Sequence, residues 1–187
     1  MDFSFTAEQR QIAAAIAKTC KRFDDSYWLA RDRTGDFPHD FCSALAADGW
    51  LGIAMPESYG GAGLGIMEAA LMMQTIAESG AAMSGCSAVH MNIFGPNVIV
   101  VFGTDEQKAR MLPPLIGGQT RACFGVTEPD TGLDTAHLKT LARRNGDHYL
   151  VNGRKVWTST AKVADKILLI ARTKSIEECD KASDGLS

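Results

Sequence analysis

Phe124-Gly-Val-Thr-Glu-Pro-Asp-Thr-Gly-Leu-Asp134 begins as a strand and ends as a loop. The strand stops at Thr127-Glu128-Pro129 and passes into a polar stretch that contains Gly132. Such a loop offers free backbone N–H groups and hydroxyls, which suit the polar rim or diphosphate of a cofactor. An ordinary turn has the same composition, so the residues alone leave both readings open. The segment lies just past a change of pattern near residue 120. Before it, apolar residues recur at helical spacing; after it, β-branched runs and turn signals dominate. The chain therefore reads as α+β: an all-helical part, residues 1–120, followed by an antiparallel β part, residues 121–187.

In the helical part, Thr6-Ala-Glu-Gln9 forms a capping box, and Ile12, Ile16, Cys20 and Phe23 follow on one face. A second helix is predicted over 38–48, with Pro38 in its first turn and Gly49 as its stop. A third spans 66–78. A fourth, 87–102, is nearly all apolar, which predicts a central position, with Pro96 as a kink. Thr104-Asp-Glu-Gln107 is a second capping box and opens a short helix that ends before Pro113-Pro114.

In the second part, strands are predicted over 122–127, 139–144, 148–151, 155–160 and 166–173. Asn145-Gly146-Asp147 and Asn152-Gly153 are hairpin signals, because both supply a positive φ cheaply.

Composition narrows the function classes. The chain has 187 residues, a length that allows one large domain or two small ones and a sizeable core. Apolar residues make up 45% and charged residues 22%, which excludes bulk disorder. A net charge of -3 argues against a nucleic-acid binder driven by positive charge. No run approaches 18 uncharged apolar residues, so no membrane span is expected, and Met-Asp-Phe-Ser-Phe-Thr does not read as a secretory leader. Five scattered cysteines without a CxxC pair suit a reducing compartment and buried hydrophobes rather than zinc. His39, His90, His137 and His148 show no ligand spacing, so neither a metal nor a catalytic triad is predicted.

Two further motifs carry weaker signals. Gly60-Gly-Ala-Gly-Leu-Gly65 misses GxGxxG, because Ile66 holds the last position, and reads as a helix-joining loop. Lys155-Val-Trp-Thr-Ser-Thr160 sets a flat aromatic beside three hydroxyls at a strand end, as a planar ring ligand needs; a core tryptophan is the alternative.

Taken in order, four segments resemble the acyl-CoA dehydrogenases, FAD-dependent flavoproteins. They are Met55-Pro-Glu-Ser-Tyr-Gly-Gly-Ala-Gly-Leu-Gly65; Phe102-Gly-Thr-Asp-Glu-Gln-Lys108 with Leu112-Pro113; Val126-Thr-Glu-Pro through Asp134; and Tyr149-Leu-Val-Asn-Gly-Arg-Lys-Val-Trp157. The resemblance implies a subunit of three parts: a helical domain, a β-barrel-like middle domain and a C-terminal four-helix bundle. FAD would lie between the last two, with help from a neighbouring subunit. The implied reaction is α,β-dehydrogenation of an acyl-CoA thioester, in which a glutamate takes the α-proton and the β-hydride goes to flavin N5. Electrons would pass to an electron-transfer flavoprotein, and the intact enzyme would be a homotetramer or dimer.

Carried over residue by residue, the resemblance implies that Phe124, Val126 and Thr127 run along the flavin. The Thr127 hydroxyl and nearby backbone would bond the pyrimidine edge, where electron demand favours hydride uptake. Gly132 and Leu133 would serve the diphosphate, and Leu133 would also lie near the acyl-CoA. Leu133 stands where the family usually has serine, so the backbone N–H is kept and the hydroxyl lost. Trp157 would lie against the flavin, Ser159 near N5, and Thr158 between them as a backbone contributor. Glu128 is expected to be a structural acceptor, not the base.

The family's base lies in the bundle, and Lys181-Ala-Ser-Asp-Gly-Leu-Ser187 ends without helix or cap. The bundle is therefore expected to be absent, the β domain incomplete, and the chain a fragment inactive by itself. A bacterial cytoplasmic source is expected, with a mature mitochondrial matrix form the other option. Two other readings remain: a flavin monooxygenase or nitroalkane-oxidising relative on the same fold, and a truncated non-enzymatic binding or assembly module.

Overall fold

The structure, a computed structural model, describes residues 4–187; Met1, Asp2 and Phe3, on which the leader reading and the start of the first domain partly rest, lie outside the described residues. Eight α-helices occupy the first part: α1 (Ala7–Cys20), α2 (Asp25–Thr34), α3 (His39–Ala47), α4 (Ile66–Ile76), α5 (Ala82–Val89), α6 (Met91–Phe94), α7 (Asn97–Phe102) and α8 (Asp105–Ile116). Four short strands follow: β1 (Ala122–Gly125), β2 (Leu141–Asn145), β3 (His148–Asn152) and β4 (Lys166–Leu169). Among the described residues no α-helix follows Ile116, and the strands close no barrel.

Both capping boxes are present: the Thr6 and Thr104 hydroxyls accept from the N–H groups of Gln9 and Gln107, whose side chains bond back. The predicted stripe becomes core, with Ile16, Cys20 and Phe23 buried and Ile12 packed at the margin. Around it Phe23, Tyr27, Trp28 and Phe41 meet edge to face at 4.9–5.4 Å, a geometry that adds to simple burial. The Gln9 amide donates to Glu68 Oε1 at 3.0 Å and ties α1 to the start of α4.

Three helical expectations change. α2 is an additional element, capped by Asp24 and closed by Gly35 at φ 71, and its charged run carries almost no apolar periodicity. The long central helix is instead α5, α6 and α7, broken at His90 and at Gly95-Pro96, where proline lacks the N–H that a continuous helix requires. α7 is not central: none of its residues is buried, and Val98, Val101 and Phe102 are exposed, as is Phe94 at the end of α6. α8 runs through Pro113-Pro114, because burial of Leu112, Leu115 and Ile116 outweighs the lost amide bonds.

The glycine segment 60–65 is stitched to the preceding turn. Gly61, Ala62, Gly63 and Leu64 N–H groups donate to the carbonyls of Pro56, Gly52, Met55 and Ile53. These amides are spent on protein, which bears out the reading as a joining loop.

The second part is not wholly antiparallel. β2 and β3 form the expected hairpin around Gly146, at φ 66. β1 and β4, however, pair in parallel, Ala122 opposite Lys166 through Gly125 opposite Leu169. The predicted strand over 155–160 is absent, and no hairpin forms at Asn152-Gly153. Gly153 lies so close to Thr140 that a Cβ would sit 2.2 Å from its hydroxyl. The chain thus runs straight on over Thr140 and back to the end of β1. Arg172, buried, holds these pieces together by donating to the carbonyls of Leu138, Ala136 and Ala182.

Candidate functional site

β1 delivers Thr127 to a crossing point. Just beyond its end, the Thr127 carbonyl accepts from the Val156 N–H at 2.9 Å. That single bond brings the two predicted motifs, 124–134 and 155–160, side by side. Trp157 follows immediately, at φ 58 with its indole 89% exposed. Thr160 also has a positive φ, 69. Two non-glycine residues in a strained region within four positions mark a segment over-determined by its surroundings, as functional loops often are.

Glu128 anchors the crossing. Its Oε1 accepts from Thr140 N at 2.8 Å, the Thr140 hydroxyl at 2.5 Å and Lys155 Nζ at 2.9 Å; Oε2 accepts from Lys139 N at 2.7 Å. Lys155 Nζ also donates to the Val126 carbonyl at 2.9 Å. Both side chains are buried, at 5% and 8% exposure. Burial pushes the Glu128 carboxyl up, but the Thr140 hydroxyl, the Lys139 N–H, Lys155 and the Thr140 N–H pull harder and hold it at about 2. A carboxylate so stabilised is a poor proton acceptor, in keeping with its expected structural role.

Glu128 and Thr131 exchange backbone bonds at 2.9 and 3.1 Å, which throws residues 132–134 outward. Gly132 is exposed, with open space at its Cα, and the Leu133 side chain is wholly in solvent. Asp134 caps the next turn by accepting from Ala136 N.

The predicted residues thus fall into three groups. Val126, Thr127 and Trp157 meet at the crossing, with Phe124 part-exposed two residues back along β1. Gly132 and Leu133 stand on the outward loop. Thr158 and Thr160 line a cleft of about 1160 Å³ that opens between the β part and the helices, opposite Ser84, Ser87 and Ala88 of α5. Ser159 is exposed between them. Sequence reasoning missed the cleft side of α5 and the double grip of Lys155. Among the described residues no group of three metal-ligating side chains occurs, and no single helix is long and apolar enough to cross a membrane.

Comparison with known families decides the lineage. Residues 6–119 match the acyl-CoA dehydrogenase N-terminal domain, and residues 123–186 match the middle domain of the same family. The chain belongs to the acyl-CoA dehydrogenase family. It is 35% identical over 147 residues to a 3-(aryl)acrylate reductase of Clostridium sporogenes, covering 76% of this chain and 37% of that protein. It is 34% identical over 175 residues to acyl-CoA dehydrogenase FadE12 of Mycobacterium tuberculosis, covering 92% and 45%. A glutaryl-CoA dehydrogenase of Mycobacterium smegmatis, solved in complex with FADH2, superposes with a TM-score of 0.82 at 27% identity, covering 90% and 43%. The chain therefore spans less than half the length of the curated relatives that it matches.

Proposed function

We propose that this chain carries the flavin-facing part of an enzyme that dehydrogenates an acyl-CoA thioester across its α and β carbons. The observation that carries the reading is the Val156–Thr127 bond, which sets an exposed indole beside an open strand end. That arrangement fits FAD. A planar ring needs a flat apolar wall, which Trp157 offers, and donors at its edge, which the Thr127 hydroxyl and backbone offer. Phe124 and Val126 continue the wall, with Thr158 and Ser159 on the far side of Trp157. The outward amides of Gly132 and Leu133 suit a diphosphate, and Leu133 is the residue that the family resemblance sets near acyl-CoA. When bound, FAD supplies the hydride acceptor.

The other groups act by holding and excluding. The cleft below Thr158 and Thr160 is lined by Arg31, Asp32, Asp36 and Asp40 as well as by small residues of α5, and so suits a polar group rather than an acyl chain. Glu128, committed to four donors, takes no α-proton. The base, the transfer of electrons to an electron-transfer flavoprotein and assembly into a homo-oligomer belong to the intact enzyme. The likeness to an arylacrylate reductase supports a second reading, in which the same carbon pair is reduced rather than oxidised.

Titration of FAD with the intact enzyme tests the proposal. Binding is expected to quench flavin fluorescence, and Trp157→Ala to weaken the quench. An intact enzyme that takes up no FAD overturns the reading. Acyl-CoA and arylacrylate, offered to the intact enzyme with an electron acceptor or donor, separate the two directions.

A further inference from the structure

We infer that Lys155 polarises the peptide group between Val126 and Thr127 and so makes the Thr127 N–H an unusually strong donor for a bound ligand. The Val126 carbonyl and the Thr127 amide are two ends of one planar group. At one end sits a buried ammonium, Lys155 Nζ, 2.9 Å from the oxygen. A cation on the carbonyl draws density through the conjugated bond and leaves the N–H more positive; in a low-dielectric setting the effect is not screened away. At the other end, the Thr127 N–H has no acceptor among the described residues, although the Thr127 carbonyl is engaged by Val156.

Glu128, ionised and 2.9 Å from the same ammonium, offsets part of this field, but the lysine has three protons and donates one of them directly to the Val126 carbonyl. Glu128 also fixes the ammonium in place by accepting from it. The ligand selected by such an amide is an electron-rich oxygen or nitrogen acceptor. On the flavin reading above, upon which only this last step rests, that acceptor is the pyrimidine edge of the ring. Lys155 is then a positioning residue that never touches the cofactor but sets how strongly the protein withdraws density from it.

The first measurement is made on the chain without any ligand. In the wild type, Lys155 Nζ should show a through-bond NMR coupling to the Val126 carbonyl carbon. In Lys155→Met, the Val126 carbonyl carbon and Thr127 amide nitrogen should move upfield, and Lys155→Arg should restore most of the shift. Should Lys155→Met fail to fold, Glu128→Gln/Lys155→Met removes both charges and is read in the same way. No coupling in the wild type, or unmoved resonances in a folded variant, overturns the inference. The second measurement uses the intact enzyme loaded with FAD. Lys155→Met should move the flavin midpoint potential to more negative values and raise the FAD dissociation constant about two- to fivefold. A merely structural ion pair would lower the melting temperature and leave the potential where it was, and that outcome overturns the inference. An intact wild-type enzyme that takes up no FAD overturns the flavin reading, and with it the assigned ligand, while the coupling to Val126 still decides the amide.

Discussion

Val156 and Thr127, 29 positions apart, share one backbone hydrogen bond of 2.9 Å, and through it the signature loop and the tryptophan segment form a single surface. Val156→Pro removes the donor. Loss of this bond costs the fold only about 1 kcal/mol, but it frees Trp157 from Thr127. FAD affinity should fall about tenfold or more, as measured by flavin fluorescence, with the helical far-ultraviolet signal unchanged.

Acid should expose the worth of Glu128. Its carboxyl is held at about 2, below its ordinary value of 4.5, so its stabilisation is complete above pH 4.5 and is lost as the pH falls toward 2. The shift corresponds to about 3 kcal/mol. Urea unfolding of wild type and Glu128→Gln should therefore give curves that differ by about that amount at pH 6 and converge near pH 2. A difference that stays constant across this range would refute the account.

The glycine segment should prove intolerant for steric reasons. A Cβ on Gly61 would lie 2.1 Å from the Met55 carbonyl oxygen, a backbone atom that cannot swing aside. Gly61→Ala should cost about 3 kcal/mol and lower the melting temperature by roughly 6–12 °C. Gly60→Ala meets nothing within 4 Å and suffers only from its φ of 90, so its penalty should be smaller.

Thiol chemistry should divide the cysteines unequally. All five are free; Cys20, Cys42, Cys86 and Cys123 are buried and Cys179 is half-buried. Burial raises the first four thiols, Cys42 to about 12, which suppresses the reactive thiolate. Ellman's reagent should release one equivalent promptly from the native chain and four more only on denaturation. Prompt release after Cys179→Ser would refute the assignment.

Local signals were legible where a few adjacent residues decide the outcome. Thr6 and Gln9, Thr104 and Gln107, Gly49 after α3 and Gly146 in the hairpin each act within four positions, and each appears where expected. The four segments that carry the family resemblance were legible as an ordered set. α2 was not, because it is held by Trp28 packing on Phe41 and by its caps, not by an apolar stripe. Pro113 and Pro114 misled because their cost is local while the gain, burial of Leu115 and Ile116, is tertiary.

The sequence by itself determined the family and the helical-to-β change near residue 120, since side-chain chemistry and short-range capping are written in order along the chain. Only the tertiary structure decided that β1 pairs with β4 in parallel, that residues 155–160 are not a strand, and that Lys155 reaches Val126 and Glu128. These depend on which distant segments meet. A hydrogen bond has a range of about 3 Å, so its partner is fixed by the folded path of the chain and not by spacing in sequence.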